Sequence, residues 1–275
     1  MQPVKEECSS PTSSGLAYNR VYQMDCFDIL RRLDDLSIDL AVLDPPYNMK
    51  KAAWDTFGSD GEFFEFTFAW IDALLPKIKS NGSIYIFNTP YNSAFILQHL
   101  VSQGMIFQNW VTWDKRDGFG GARRRYINGQ ETILFFTKSR NHTFNYDEIR
   151  VPYRSTSRMN HAKTKGILKN GKRWFPNPNG GLCSEVWHFS SARHKNKING
   201  KVRSLGHATP KPLDMIERII KASSNPGDLV LDCFAGTGTT AVAAQRLGRN
   251  FICGDQSAEY VSLARQRLQS KALGL

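Results

Sequence analysis

Short apolar runs alternate with longer stretches in which apolar residues recur every three or four positions. The short runs, Ile38 to Leu43, Ser83 to Asn88, Phe107 to Trp113, Glu131 to Thr137, Leu229 to Cys233 and Phe251 to Gly254, predict strands. The longer stretches, Phe27 to Leu36, Phe63 to Lys79, Tyr91 to Gln103, Lys211 to Ser223, Thr239 to Leu247 and Ser257 to Ser270, predict helices. Turn residues punctuate them at Asp44-Pro45-Pro46-Tyr47, Asn81-Gly82 and Asn225-Pro226-Gly227-Asp228. Strands and helices alternating at these lengths imply an α/β fold with a mostly parallel sheet and helices on both faces. Between roughly Lys138 and Leu205 the periodicity dissolves into a polar, aromatic-dotted stretch that reads as an insertion. Met1 to Gly15, rich in Ser and Pro, reads as a flexible tail.

With 41% hydrophobic residues among 275, the chain has enough to bury a substantial core. No window approaches the roughly 18 consecutive apolar residues of a membrane span, and Met1 to Leu16 lacks a signal-peptide core, so a soluble cytoplasmic protein is expected. Five cysteines without a C-x-x-C pair are expected to be reduced and mostly buried, and the scattered histidines offer no metal-ligand spacing.

The net charge of +11 is local. From Arg150 to Arg203 thirteen Lys or Arg face one acid, Glu185, while the rest of the chain carries 23 bases and 24 acids. A polyanion is the natural partner of such a segment. A solvated loop can carry the same charge, but Tyr153, Trp174, Phe175 and Trp187 are interleaved with it and offer stacking surfaces.

Two turns carry the chemistry. At Leu229 to Thr240 an apolar strand runs through Phe234-Ala235-Gly236-Thr237-Gly238 into a helix, which lets backbone approach a ligand at the carboxyl edge of the sheet. Asp255 ends the next strand, where a carboxylate can accept ribose hydroxyls, so an adenosine-containing cofactor is indicated. The glycine pattern alone leaves NAD and S-adenosylmethionine both open. Asp44-Pro45-Pro46-Tyr47 follows another apolar strand and can face the same crevice. The Asp44 carboxylate and the Pro45 carbonyl can accept the N–H groups of a planar amine, and Tyr47 offers a ring to stack on.

Taken together, these residues resemble the amino DNA methyltransferases of bacterial restriction-modification systems, in the β arrangement: D-P-P-Y first, target-recognition region second, F-x-G-x-G last. The resemblance covers about Tyr22 to Leu268 and implies a Rossmann-like, S-adenosylmethionine-dependent sheet with a basic target-recognition insertion. It implies that Asp44, Pro45, Pro46 and Tyr47 hold an extruded base. For the cofactor it implies Asp25 and Cys26 at the adenine end and Asp255 on the ribose. Asp44, Asp232, Phe234, Ala235, Gly236, Gly238, Thr239 and Thr240 complete that site around the two turns. His207-Ala208-Thr209-Pro210-Lys211-Pro212 resembles the family's H-P-T-x-K-P segment beside the methionine portion; Ala208 departs from it, while His207, Thr209, Lys211 and Pro212 stay in register. Trp113-Asp114-Lys115 and Glu131 to Lys138 resemble segments lining the base pocket.

The implied organisation is a tail over 1–18, a catalytic domain over 19–149 and 204–275, and a target-recognition region over 150–203. Double-stranded DNA is the implied partner, with Arg154, Arg158, Lys163, Lys165, Lys172, Arg173, Arg193, Lys195 and Lys197 as its contacts. Arg123, Arg124 and Arg125 form either a second strip over the catalytic face or a solvated loop. The reaction implied is methyl transfer to adenine N6 by base flipping. Cytosine N4 is the alternative, although Ser is frequent there at the position of Asp44. A homodimer and a cognate restriction endonuclease are further expectations of the resemblance. An NAD oxidoreductase would leave the DPPY turn and the basic segment without a role.

Overall fold

The computed structural model describes residues 15–119, 123–190, 196–198, 201–203 and 210–272, those at 116–119, 156–158, 196–198, 201–203 and 270–272 by backbone alone. In chain order, β1 (Arg20–Gln23) leads to α1 (Cys26–Arg31), β2 (Ile38–Leu43), α2 (Asp60–Leu74), β3 (Ile78–Asn88), α3 (Pro90–Ser102), β4 (Ile106–Phe119) and β5 (Asn128–Thr137). The basic segment holds α4 (Thr156–Lys165), the hairpin β6 (Ile167–Lys169) and β7 (Lys172–Trp174), then β8 (Val186–His188), β9 (Asn196–Ile198) and β10 (Lys201–Arg203). The last part runs α5 (Leu213–Ser223), β11 (Leu229–Asp232), α6 (Thr239–Arg246), β12 (Asn250–Asp255) and α7 (Ala258–Ala272).

Eight strands form one sheet in the order β1-β12-β11-β2-β3-β5-β4-β8. The β1–β3 side is parallel; β5 runs antiparallel to both β3 and β4, and β8 is parallel to β4. Side chains alternate across the sheet and both faces are covered. Leu40, Val42, Tyr85, Phe87 and Val230 share one core with Met215, Ile219 and Ile220 of α5 and Ala241 and Ala244 of α6. Ala41, Leu43, Ile84, Ile86 and Leu231 share the other with Leu30 of α1, Trp70 and Leu74 of α2 and Ile96 of α3. Period-two alternation thus hides inside runs that read as uniformly apolar, as a doubly covered parallel sheet requires.

The expected helix over Phe63 to Lys79 ends five residues early. Pro76 cannot supply an N–H to continue it, and a 3₁₀ turn over Leu75–Lys77 hands the chain to β3. Asn81-Gly82, expected as a turn, lies inside β3 at a register irregularity opposite β2. A Cβ on Gly82 would stand 3.0 Å from the Ile38 carbonyl, so the close approach of β2 calls for glycine. The tail expected over 1–18 takes in Leu16, which is buried in the second core. Within the basic segment the sequence suggested no elements, yet β8 extends the main sheet, with Trp187 opposite Trp113. Its hairpin β6–β7 turns at Asn170-Gly171, both at positive φ, as a tight two-residue turn demands. Among the described residues no helix is long and apolar enough to cross a membrane.

Candidate active site

Strands β11 and β2 are neighbours, but the chain leaves β11 toward β12 and leaves β2 toward β3. A crevice opens at the carboxyl ends of strands that diverge in this way. Asp232 closes β11 and Asp44 follows β2, so the glycine turn and the DPPY turn face one cavity of about 350 Å³. Its walls include Asp25, Cys26, Asp44, Pro45, Pro46, Tyr47, Lys211, Asp232, Phe234, Ala235, Gly236, Thr239, Thr240 and Asp255. Fourteen residues named from sequence therefore meet around one cavity. Pro212 stands beside the wall as N-cap of α5. His207, Thr209, Arg193 and Lys195 lie outside the described residues, as do the side chains of Arg158 and Lys197.

The glycine turn is closed by carboxylates. Asp232 accepts the Phe234 N–H at 3.0 Å and the Thr240 hydroxyl at 2.6 Å, tying the end of β11 to α6. Asp255 accepts the N–H groups of Gly236 at 2.9 Å and Ser257 at 2.8 Å. Both its oxygens thus already have backbone donors, one in the glycine turn and one after β12, and a ribose would share them through their second lone pairs. Gly238 does not line the cavity. Its φ of +78° and a Cβ position 2.6 Å from the Ala264 Cβ make it the place where α6 passes close to α7. Burial raises the Asp232 carboxyl to about 7, against hydrogen bonds from Thr240 and Phe234, with Asp44 and Asp255 adding to the rise. Burial also raises Asp255.

The DPPY turn is clamped from two sides. Asp55, 2% exposed, accepts the N–H of Tyr47 at 2.6 Å with one oxygen and those of Met49 (3.1 Å) and Lys51 (3.3 Å) with the other. The loop bends around it through Asn48 and Lys50, both at positive φ. Such convergent amides form a nest for an anion, filled here by the protein's own carboxylate. On the other side Asn92 of α3 donates to the Tyr47 carbonyl at 2.9 Å. The Tyr47 hydroxyl donates to Asp44 Oδ1 at 2.7 Å. Lys211 Nζ lies 2.7 Å from Asp44 Oδ2 and 3.3 Å from Glu131 Oε2, and Lys115 pairs with Glu131 Oε1. Burial acts to raise the Glu131 carboxyl, but Lys211 and Lys115 outweigh it and hold it low. Burial acts to lower Lys211, but Asp44 and Glu131 outweigh it and hold it high. Desolvation, then the Asp44 and Glu131 charges, push the Tyr47 phenol well above its ordinary value.

Sequence reading missed the roles of Asp55 and Asn92 and gave Lys115 and Glu131 only as parts of segments. No spacing rule singles out an acid eight residues beyond a tyrosine. The rest of the lining is aromatic and acidic: Phe27, Trp54, Phe57, Phe66, Phe234 and Tyr260 stand beside Asp25, Asp44, Asp232 and Asp255. Rings beside carboxylates suit a cationic adenosine compound such as S-adenosylmethionine. Among the described residues no group of acids, histidines and cysteines could hold a metal, and the described cysteines are free thiols, Cys183 half-buried and the others buried.

Of the expected DNA contacts, Arg123 to Arg125 are exposed in the turn between β4 and β5. Arg154 precedes α4, Lys163 and Lys165 lie in its last turn, and Lys172 is on β7, all exposed. Arg173, though exposed, donates to the Lys165 carbonyl and holds the hairpin against the end of α4.

A doubly covered sheet with a glycine turn and a DPPY turn on one acidic, aromatic cavity is the arrangement expected of a methyltransferase that uses an adenosine-containing cofactor. The chain matches the family described as DNA methylase (N6_N4_Mtase) over residues 38–266. It is 67% identical over 249 residues to the type II methyltransferase M1.MboII of Moraxella bovis, covering 90% of this chain and 96% of that protein. It is 37% identical to the type II methyltransferase M.HpaI of Haemophilus parainfluenzae, over 89% of this chain and 72% of that protein. Among solved structures, the M1.HpyAVI complex with S-adenosylmethionine superposes with a TM-score of 0.60 at 24% identity, over 90% of this chain and 98% of that one. The cytosine-N4-specific PvuII DNA methyltransferase does so with a TM-score of 0.66 at 17% identity, over 94% and 87%. The chain belongs to this DNA methylase family and is an S-adenosylmethionine-dependent DNA methyltransferase.

Proposed function

We propose that the chain methylates adenine N6 in double-stranded DNA after swinging the base out of the helix. The observation that carries this reading is the Asp44 carboxylate, set at the strand switch point beside the Tyr47 ring and open to the cavity wall shared with the glycine turn. An amino group inside a duplex cannot reach that depth, so the base must leave the stack at a cost of about a few kcal/mol. When bound, S-adenosylmethionine supplies an electrophilic methyl group on a sulfonium centre. Asp25, Cys26, Phe234, Gly236 and Asp255 would hold it, while Asp232 keeps the turn closed. Tyr47 stacks on the extruded base, an interaction worth about 1–3 kcal/mol. Asp44 and the Pro45 carbonyl accept the two amino N–H bonds, which draws the nitrogen lone pair out of the ring. Asp44 then takes the proton that the nitrogen sheds once it has formed its new bond to carbon. These acceptors act on charge that develops during transfer, which is where stabilisation raises the rate.

The basic segment over 150–203 is the target-recognition region, with Arg154, Lys163, Lys165 and Lys172 on phosphates. The 67% identity to a type II methyltransferase supports a restriction-modification role; a cognate endonuclease, a homodimeric state and a cytoplasmic setting belong to the same proposed reading. The test is to incubate the purified protein with unmethylated genomic DNA and labelled S-adenosylmethionine, digest, and identify the modified nucleoside by mass spectrometry. N6-methyladenine is expected. N4-methylcytosine would keep the site chemistry and overturn the base, and no transfer would overturn the reading.

A further inference from the structure

At and behind the cavity wall four charges, two of each sign, are largely withdrawn from water. The Lys211 and Glu131 side chains are 7% and 8% exposed, and Lys115 and Asp44 are 20% and 27% exposed. The Lys211 ammonium also faces the rings of Phe87 at 5.3 Å, Tyr47 at 5.4 Å and Trp113 at 6.0 Å. Burying such a cluster costs several kcal/mol per ion unless each is paired, and hydrophobic packing would hold the strands as well. Its members therefore call for a role in the reaction.

Asp44, Tyr47 and Lys211 line the cavity, whereas Glu131 stands behind them on β5. Both Asp44 oxygens already have donors, the Tyr47 hydroxyl on Oδ1 and the Lys211 ammonium on Oδ2. An ammonium on Oδ2 competes with an incoming amino group for that acceptor. It also sets a positive charge beside a nitrogen that becomes more positive as it reacts. Glu131 Oε2, 3.3 Å from the same ammonium, offers it a second seat.

We propose that Glu131 is a positioning residue of methyl transfer: it draws the Lys211 ammonium off Asp44 when the extruded base enters, freeing Oδ2 to accept the amino N–H. Lys211 keeps the place of that amino group in the empty site, held to Asp44 and facing the ring of Tyr47, on which the base stacks. Lys115 holds Glu131 ionised and fixed from the far side. With glutamine at 131 the ammonium has only Asp44 as a carboxylate partner and stays there. The inference rests on Asp44 being the acceptor of the amino group.

The test compares the wild type with E131Q, K211M and E131Q/K211M on a duplex carrying the mapped target site. Three quantities are read: the single-turnover rate, calorimetric affinity for S-adenosylmethionine, and, without cofactor, the fluorescence of 2-aminopurine placed next to the target adenine, which brightens when that adenine leaves the stack. E131Q is expected to lose tenfold or more in rate and to show less extruded-base fluorescence, with cofactor affinity within about twofold. The double variant is expected to recover much of both, because the lysine that blocked Asp44 is gone. A structural role for Glu131 would make the double variant as poor as E131Q or worse, and that outcome overturns the proposal, as does E131Q at the wild-type rate. If E131Q does not fold, E131D serves instead: it keeps the charge and shortens the reach, so an intermediate rate is expected and full activity overturns the proposal. An inactive wild type would refute the methyltransferase reading, whereas an active wild type with an equally active E131Q would refute only this inference.

Discussion

Asp55→Ala removes the anion around which the loop after the DPPY turn is folded. Three backbone N–H groups lose their acceptor, those of Tyr47 at 2.6 Å, Met49 at 3.1 Å and Lys51 at 3.3 Å. Hydrogen bonds to a charged group contribute about 1.5–3 kcal/mol each. The third is long and its residue is exposed, so water replaces most of it. The two strong bonds leave about 3–6 kcal/mol, and that penalty falls on the loop and not on the sheet, whose core lies elsewhere. At about 1.4 kcal/mol per tenfold, amide exchange at Tyr47 and Met49 should accelerate by about two to four orders of magnitude. Hydrogen–deuterium exchange reads this directly, with amides of β11 and β12 as the internal standard. Methyl transfer should fall at least tenfold, since the Tyr47 backbone, then held by Asn92 alone, no longer fixes the ring in one orientation toward a base. Unchanged protection at Tyr47, or weakened protection with full activity, would refute the argument that the carboxylate nest positions the turn.

Gly238→Ala forces alanine to φ +78° and sets its Cβ 2.6 Å from that of Ala264, which should cost about 2–4 kcal/mol in urea unfolding. Gly104→Ala, at φ +80° with open space around it, should cost only about 1 kcal/mol and serves as the control. Asp232 is protonated more readily when folded, at about 7, than at its ordinary 3.8. The folded state therefore binds the extra proton, and stability falls as pH rises through that window, by on the order of 4 kcal/mol once above it. Asp232→Asn accepts the Phe234 N–H on its Oδ1 and donates its Nδ2–H to the Thr240 hydroxyl, without the charge, so its melting temperature should exceed the wild type's by a margin that widens from pH 5 to pH 8; a margin independent of pH would contradict this. Replacing Lys163 and Lys165 by Ala should flatten the salt dependence of DNA binding by about 0.9 for each phosphate left unneutralised, read from log Kd against log salt, and an unchanged slope would remove them from the interface.

Much of this was legible because strands buried on both faces and turns of unusual composition leave marks in the chain. Asp44 and Gly236 announce themselves by what surrounds them: an apolar run, then two prolines or a glycine pair. Their meeting on one wall follows from strand order, and the switch point between β11 and β2 joins segments far apart in sequence. The clamp on Tyr47 was not legible, because Asp55 and Asn92 act through distances to backbone atoms and carry no pattern. The sequence pattern makes α2 too long because apolar residues continue past Leu74 into β3, and only Pro76 marks the change of period. The motif around Gly238 suggests a cradle residue, whereas its constraint comes from Ala264, a residue of α7 that no local pattern connects to it. In the basic segment the elements are three to ten residues long and their described side chains are mostly exposed, so hydrophobic period had little to report.

The most direct test of the central claim is transfer of labelled methyl groups to DNA by Asp44→Ala beside the wild type, with S-adenosylmethionine affinity measured on both. A fall in transfer of at least about a hundredfold, with cofactor affinity largely kept, is the predicted result, since the acceptor for the amino group has gone. Near-normal transfer by Asp44→Ala would contradict the account, because the carboxylate at the switch point would then have no part in the reaction.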